Sequence, residues 1–234
     1  MADIERRFPS SFEAVVDLLV EDRSGNEGLA PGDRHLATLG CLLVAGAASP
    51  EMSDFLLARL KEGVAAKRLE AMLIHAVGYL GVVATGSAFR LMCRLLEDAG
   101  SQIGFGEVRL PPGEREVRVR EGARLYDRFD PGRQAKQAKK FETLSPTYYP
   151  RAMELSGLVL ADESLILRER QVMTIAMLSS LGGQDDQLRF HIGVGLRNGV
   201  SKEVLAGILI VVQAYAGMPR ANSAAALALE VIAA

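Results

Sequence analysis

Apolar positions along this chain recur with the period of a helix almost everywhere, and hardly anywhere with the period of a strand. From Phe8 to Glu21, Phe12, Val15, Val16 and Leu19 fall on one helical face before the text dissolves into SGNEGLAPGD. The spacing predicts further helices over Asp33 to Ala47 and Pro50 to Glu62, the latter stopped at Gly63, where a left-handed cap forms readily. Leu69 to Leu80 is apolar on nearly every face, the mark of a helix buried inside a bundle, and Ser87 to Glu97 is amphipathic. Period-two alternation never outlasts VRV near Val117, so no sheet is expected.

From Ala99 to Gly132 the sequence turns to glycine, proline and charge. Its arginines are interspersed with Glu114, Glu116, Glu121 and Asp127, which reads as a solvated connector rather than a phosphate-binding arm. Gln134 to Leu144 and Pro146 to Leu160 then read as helices leading into Leu167 to Ala225. That last stretch has a fainter copy near the N-terminus. An offset of 136 residues, the distance from Arg34 to Arg170, also pairs Thr38 with Thr174, Leu42 with Leu178 and Gly46 with Gly182. Without a gap it goes on to pair Gly63 with Gly199, Tyr79 with Tyr215 and Gly81 with Gly217. Glycines at equivalent helix ends and a shared Tyr-x-Gly point to a tandem duplication. The expected architecture is all-α: a repeat over 1–98, a linker over 99–132 and a second repeat over 133–234. Each copy carries one all-apolar helix that it cannot bury alone.

Composition adds little to this and excludes some roles. With 234 residues, 49% of them apolar, the chain can bury a large core. A net charge of -2 gives no electrostatic reason for nucleic acid or an anionic membrane as partner, and a small soluble molecule is the expected one. The N-terminus MADIERRFPSS lacks the apolar core of a signal peptide and the apolar runs are short for a bilayer span, so a cytoplasmic protein is expected. Cys41 and Cys93 form neither a CxxC pair nor a metal-ligand spacing, and the three histidines have no ligand spacing either, so no metal is expected.

Positions where the two copies differ are where one site can have been kept and another lost. Under the offset His191 falls on Phe55, Arg189 on Ser53 and Gln171 on His35. His191, with Leu188 before it and Gly195 after it at helical spacing, belongs to an inward face. Its imidazole suits proton transfer near neutral pH, and the competing reading is a core histidine satisfied by a backbone carbonyl. His75 and His35 carry that competing reading more heavily. Tyr79 and Tyr215, present in both copies, read as structural. Arg168, Glu169 and Arg170 open a helix with an acid at its positive end, and a functional role for Glu169 requires it to turn toward His191.

The blocks RERQVMTIAMLSSLGG, QLRFHIGVGLRNGVSKEVL and QAYAGMPRANSA, in this order and spacing, resemble the carboxymuconolactone decarboxylase family, within the alkylhydroperoxidase D-like superfamily. The resemblance covers Leu158 to Glu230 well and the first repeat faintly. It implies an all-helical bundle with intertwined protomers, trimers or hexamers with trimers natural for a tandem chain, and no cofactor. Peroxidase-type relatives carry a CxxC where this chain has Gln184 and Gln187, so disulfide exchange at that place is impossible. Relatives also commonly place glutamate at Gln171. The expected activity is decarboxylation of a small carboxylated lactone or related unsaturated acid, with His191 and Glu169 as catalytic residues and Arg189, Arg170 and Gln171 holding substrate. Loss of carbon dioxide leaves an enolate-like oxyanion, which needs a hydrogen-bond donor and then a proton on carbon. A non-catalytic ligand-binding protein on the same fold is the alternative, and a thiol peroxidase a third reading.

Overall fold

The computed structural model describes residues 14–16, 29–100 and 115–234. Residues 14–16 are helical, and the rest of the helix expected over Phe8 to Glu21 lies outside the described residues. Among the described residues the fold is all-α. In chain order the helices are α1 (Pro31–Gly46), α2 (Pro50–Lys61), α3 (Ala66–Asp98), α4 (Arg115–Asp127) and α5 (Arg133–Glu142). They continue as α6 (Tyr148–Leu160), α7 (Leu167–Leu181), α8 (Asp185–Arg197), α9 (Lys202–Ala216) and α10 (Met218–Ala233).

Local chemistry sets these boundaries. Proline occupies the first turn of α1, α2 and α10, where its missing N–H is no loss. Ser49 caps α2 by accepting from the Met52 amide at 3.2 Å, and Ser201 caps α9 by accepting from the Val204 amide at 3.3 Å. Gly63 and Gly199, at φ +84° and +88°, turn the chain after α2 and α8.

The centre of the molecule is α7, buried at every position from Arg170 to Ser180 and surrounded by α1, α8, α9, α10 and α3. Gly40 lets α1 lie against it: a Cβ there would come within 3.0 Å of the Met173 carbonyl oxygen. The helices expected at Leu69 to Leu80 and Ser87 to Glu97 are two limbs of α3, divided at Gly81 by an extended peptide with φ +72° and ψ -179°. The whole of Ala66–Asp98 is, by length and composition, long and apolar enough to cross a membrane, contrary to the reading of its shorter apolar runs. Gly81 breaks this helix, and Leu69, Leu73, His75, Met92 and Leu96 are buried in the bundle, while Val82 and Val83 beside the break are exposed.

Helix ends coincide at the 136-residue offset. Shifted by it, α1 falls on α7, α2 on α8, and the limbs of α3 on α9 and α10. Gly81 falls on Gly217, which has φ +86° and ψ 160° and separates α9 from α10 as Gly81 separates the limbs of α3.

The stretch read as a solvated connector behaves differently. Part of it, residues 101–114, lies outside the described residues, but Arg115–Asp127 is a helix laid against α6. Glu154 of α6, 8% exposed, accepts a 2.8 Å hydrogen bond from Arg118 and has Arg151 at 3.3 Å and Arg115 at 3.5 Å. Arg115 and Arg118 therefore neutralise a carboxylate on a neighbouring helix, a partner that residue spacing does not reveal. Glycines bring α4 and α6 into backbone contact: a Cβ on Gly122 would stand 1.7 Å from the Met153 carbonyl oxygen. The α4/α6 pair forms a second layer beside the bundle, and the candidate site opens between them.

Candidate functional site

Because Leu188, His191, Ile192 and Gly195 share the inner face of α8, His191 is carried into the interior and is only 6% exposed. Its Nδ1 lies 2.9 Å from Oε1 of Gln171, a fully buried side chain of α7. The other ring nitrogen, Nε2, has no hydrogen-bond partner among the described residues. The imidazole meets the ring of Tyr79, from the first limb of α3, edge-on at 5.4 Å, and that of Phe190 at 5.0 Å.

Tyr79 packs in turn against His75 at 5.3 Å. His75 is completely buried, with Nδ1 3.3 Å from Nη1 of Arg170 and Nε2 2.9 Å from Thr174 Oγ1 and 3.2 Å from the Arg170 carbonyl oxygen. An arginine can only donate, so Nδ1 accepts and Nε2 carries the proton. Burial pushes the imidazole of His75 down to about 3, helped by the charge of Arg170 and by His191. Burial likewise pushes His191 down to about 3, helped by the charge of Arg133. Both imidazoles are neutral at physiological pH. Burial also pushes the Tyr79 phenol up to about 12, so it keeps its proton.

His191 and Tyr79 lie on the wall of a cavity of about 440 Å³ between the bundle and the α4/α6 layer. Tyr126, Ser156, Gln184 and Gln187 supply its other polar groups, and among the described residues the remaining lining is apolar and no charged side chain lines it. A small organic molecule fits such a space.

Of the residues singled out from the sequence, Gln171 and His191 are brought together. Glu169 is held at 2.6 Å by Arg68 and accepts from the Ile166 amide at 3.1 Å, tying down the start of α7. Arg189 is paired with Glu230 at 3.0 Å and Asp186 at 3.5 Å on an exposed face. Neither lines the cavity. Two residues along a helix is more than half a turn, so Glu169 points away from the side that carries Gln171, and Arg189 from the side that carries His191. Arg170 is buried and its guanidinium donates to the carbonyls of Leu165 at 3.0 Å, Val159 at 2.9 Å and Asp162, pinning the turn between α6 and α7. It reaches the cavity wall only through His75 and Tyr79.

Three neighbours of the site were not legible as such. Tyr79 reads as structural because both repeats have it, Tyr126 lies in the supposed connector, and Arg133 of α5 stacks 3.6 Å above the Phe190 ring. Gln184 and Gln187 do line the cavity, whereas Cys41 is buried elsewhere, its thiol pushed up to about 12 by burial. A protonated, buried thiol is a poor nucleophile.

This neutral histidine–glutamine pair sits within a segment that matches a family model: residues 146–230 match the carboxymuconolactone decarboxylase family. The matched segment runs from α6 to α10. A curated 4-carboxymuconolactone decarboxylase from Acinetobacter baylyi is 40% identical over 62 residues, covering 26% of this chain and 46% of that protein. The match thus spans less than half the length of the relative.

Proposed function

We propose that the protein is a cofactor-independent decarboxylase acting on a small carboxylated lactone or a related unsaturated acid, and that its chain is a fused pair of one helical unit. The observation that carries the activity is the neutral His191–Gln171 pair, 2.9 Å apart, on the wall of a cavity with no charged lining among the described residues, inside the segment that matches the family. A substrate carboxylate in such a space loses much of its hydration, and departure of carbon dioxide disperses its charge into the unsaturated ring. The C–COO⁻ bond breaks, its electron pair forms a dienolate, and the developing oxyanion needs a donor.

At neutral pH His191 has no imidazolium proton to give, so it acts on the oxyanion as a neutral hydrogen-bond partner through Nε2. Gln171 supports either tautomer, since an amide can present its oxygen or its NH₂ to Nδ1, and with the NH₂ there Nε2 carries the hydrogen. A cavity filled by side chains would have favoured a non-catalytic binding protein; this one is open. Assembly as trimers is part of the same reading, supported by the exposed Val82 and Val83 at the break in α3, and light scattering measures it.

The test is release of carbon dioxide from a carboxylated muconolactone by wild type and by His191→Ala. Loss of a preorganised donor is expected to slow turnover by about a hundredfold. Equal rates would remove His191 from the mechanism, and turnover by neither protein would remove the activity.

A further inference from the structure

Among the described residues, no acceptor lies within hydrogen-bond reach of the Arg133 guanidinium. Its Nε is buried and unpaired, and the one carboxylate near it, Asp130, stands 3.7 Å from Nη1 and is shared with Arg197 at the same distance. Other arginines set in the fold are committed: Arg68 to Glu169, Arg168 to Asp33 and Arg170 to three carbonyls. Arg59 also has an unpaired Nε, but its terminal nitrogen reaches Glu62 at 2.6 Å. A buried N–H that lacks an acceptor is costly, and stacking over Phe190 at 3.6 Å holds the Arg133 guanidinium in place all the same.

Phe190 lines the cavity and meets the His191 ring at 5.0 Å, so the guanidinium is stationed at the edge of a space whose own described lining carries no charge. The Arg133 side chain is 28% exposed and therefore open to an incoming ligand. Its charge is felt inside: burial first, and then Arg133, keeps the His191 imidazole neutral.

We infer that Arg133 is the anchor for an acidic group that the ligand keeps, its guanidinium fork pairing with a carboxylate at the cavity edge while the rest of the molecule enters beside Phe190 and His191. For its chemistry this rests on the decarboxylase reading above. A cation against the departing carboxylate would hold charge that the reaction must disperse, and would favour the substrate over the transition state. A carboxylate that stays charged throughout is bound alike in both, so its anchor belongs outside the uncharged lining and acts on substrate capture. The preferred substrate is therefore a diacid: one carboxylate leaves from the uncharged space and the other remains on Arg133, which bidentate pairing suits. Arg133 is a specificity-determining residue, and no covalent bond to it is made or broken.

Benzoate and the uncharged benzamide, nearly equal in size, test the anchor without turnover. At low ionic strength wild type is expected to bind benzoate about tenfold more tightly than benzamide, and Arg133→Gln to bind the two alike, while benzamide binds both proteins equally. Arg133→Lys, which keeps the charge, should bind benzoate better than Arg133→Gln does. No preference for benzoate in wild type, a preference that survives in Arg133→Gln, or equal benzoate binding by the Lys and Gln variants overturns the inference. A loss of benzamide binding as large as the loss of benzoate binding marks an effect of packing and overturns it too. With carboxylated muconolactone, Arg133→Gln should raise KM about tenfold at nearly constant kcat, and an unchanged KM overturns the anchor while leaving the decarboxylase. A protein that prefers benzoate through Arg133 and releases no carbon dioxide keeps the anchor and loses the decarboxylase.

Discussion

Acidification should destabilise this protein well above the pH at which its carboxylates titrate, because two histidines are buried neutral. His75 and His191 are each held near 3, against an ordinary histidine value of 6.5. Since the folded value lies below the unfolded one, the unfolded chain binds the extra protons, and stability falls as pH drops from about 6.5 towards 3. Between pH 7.5 and 5.0 each such histidine removes about 2 kcal/mol, and the pair about 4 kcal/mol, a large part of the 5–15 kcal/mol typical of a folded domain. His35, lowered mainly by burial and by Arg59, adds in the same direction. The measurement is urea denaturation at the two pH values, for wild type and for His75→Gln. The variant starts from lower stability at pH 7.5, so the readout is the pH-dependent loss, which should fall by about 2 kcal/mol relative to wild type. A wild type that loses less than about 1 kcal/mol, or a variant that loses as much as wild type, would refute the reasoning.

Gln171→Glu places a carboxylate where the amide oxygen lies 2.9 Å from Nδ1, and should raise the His191 pKa strongly, through an attraction of about 6 kcal/mol at an effective dielectric near 20; NMR titration of the imidazole reads it, and a ring still neutral at pH 4 contradicts it. Gly122→Ala drives a Cβ to 1.7 Å from the Met153 carbonyl oxygen, so α4 must leave α6: a stability loss of about 3 kcal/mol and weaker benzoate binding are expected. At Gly81 and Gly217 a Cβ meets no close neighbour, but φ is +72° and +86°; alanine should therefore destabilise by about 1–3 kcal/mol at each, through the backbone alone and by similar amounts. A clear inequality between the two in thermal denaturation would count against equivalent roles in the two halves.

Much of the fold was legible because it is local. Ser49, Ser201, Pro31, Pro50, Gly63 and Gly199 act within a few residues of where they stand, and the helix ends they set fall close to the expected ones. The inward placement of His191 followed from the apolar residues at helical spacing around it. The composition of Ala99 to Gly132 misled, because the helix within it is held by Glu154 and by contact between Gly122 and Gly157, all decided by a partner element.

The site divides along the same line. The sequence by itself determined an all-helical chain with paired glycine breaks, and marked His191, Arg189 and Gln171 as positions where its two halves differ. It left Glu169, Arg189 and Arg170 as equal candidates, since a run of charges on a helix start does not say which member faces in. The tertiary structure alone decided that Glu169 and Arg189 are held in ion pairs away from the cavity, that Arg170 is committed to carbonyls and to His75, and that Tyr79 crosses from the N-terminal half to meet His191. Helical periodicity fixes which residues share a face. Which faces meet, and so which groups lose water and which protons stay, depends on packing between segments about a hundred residues apart.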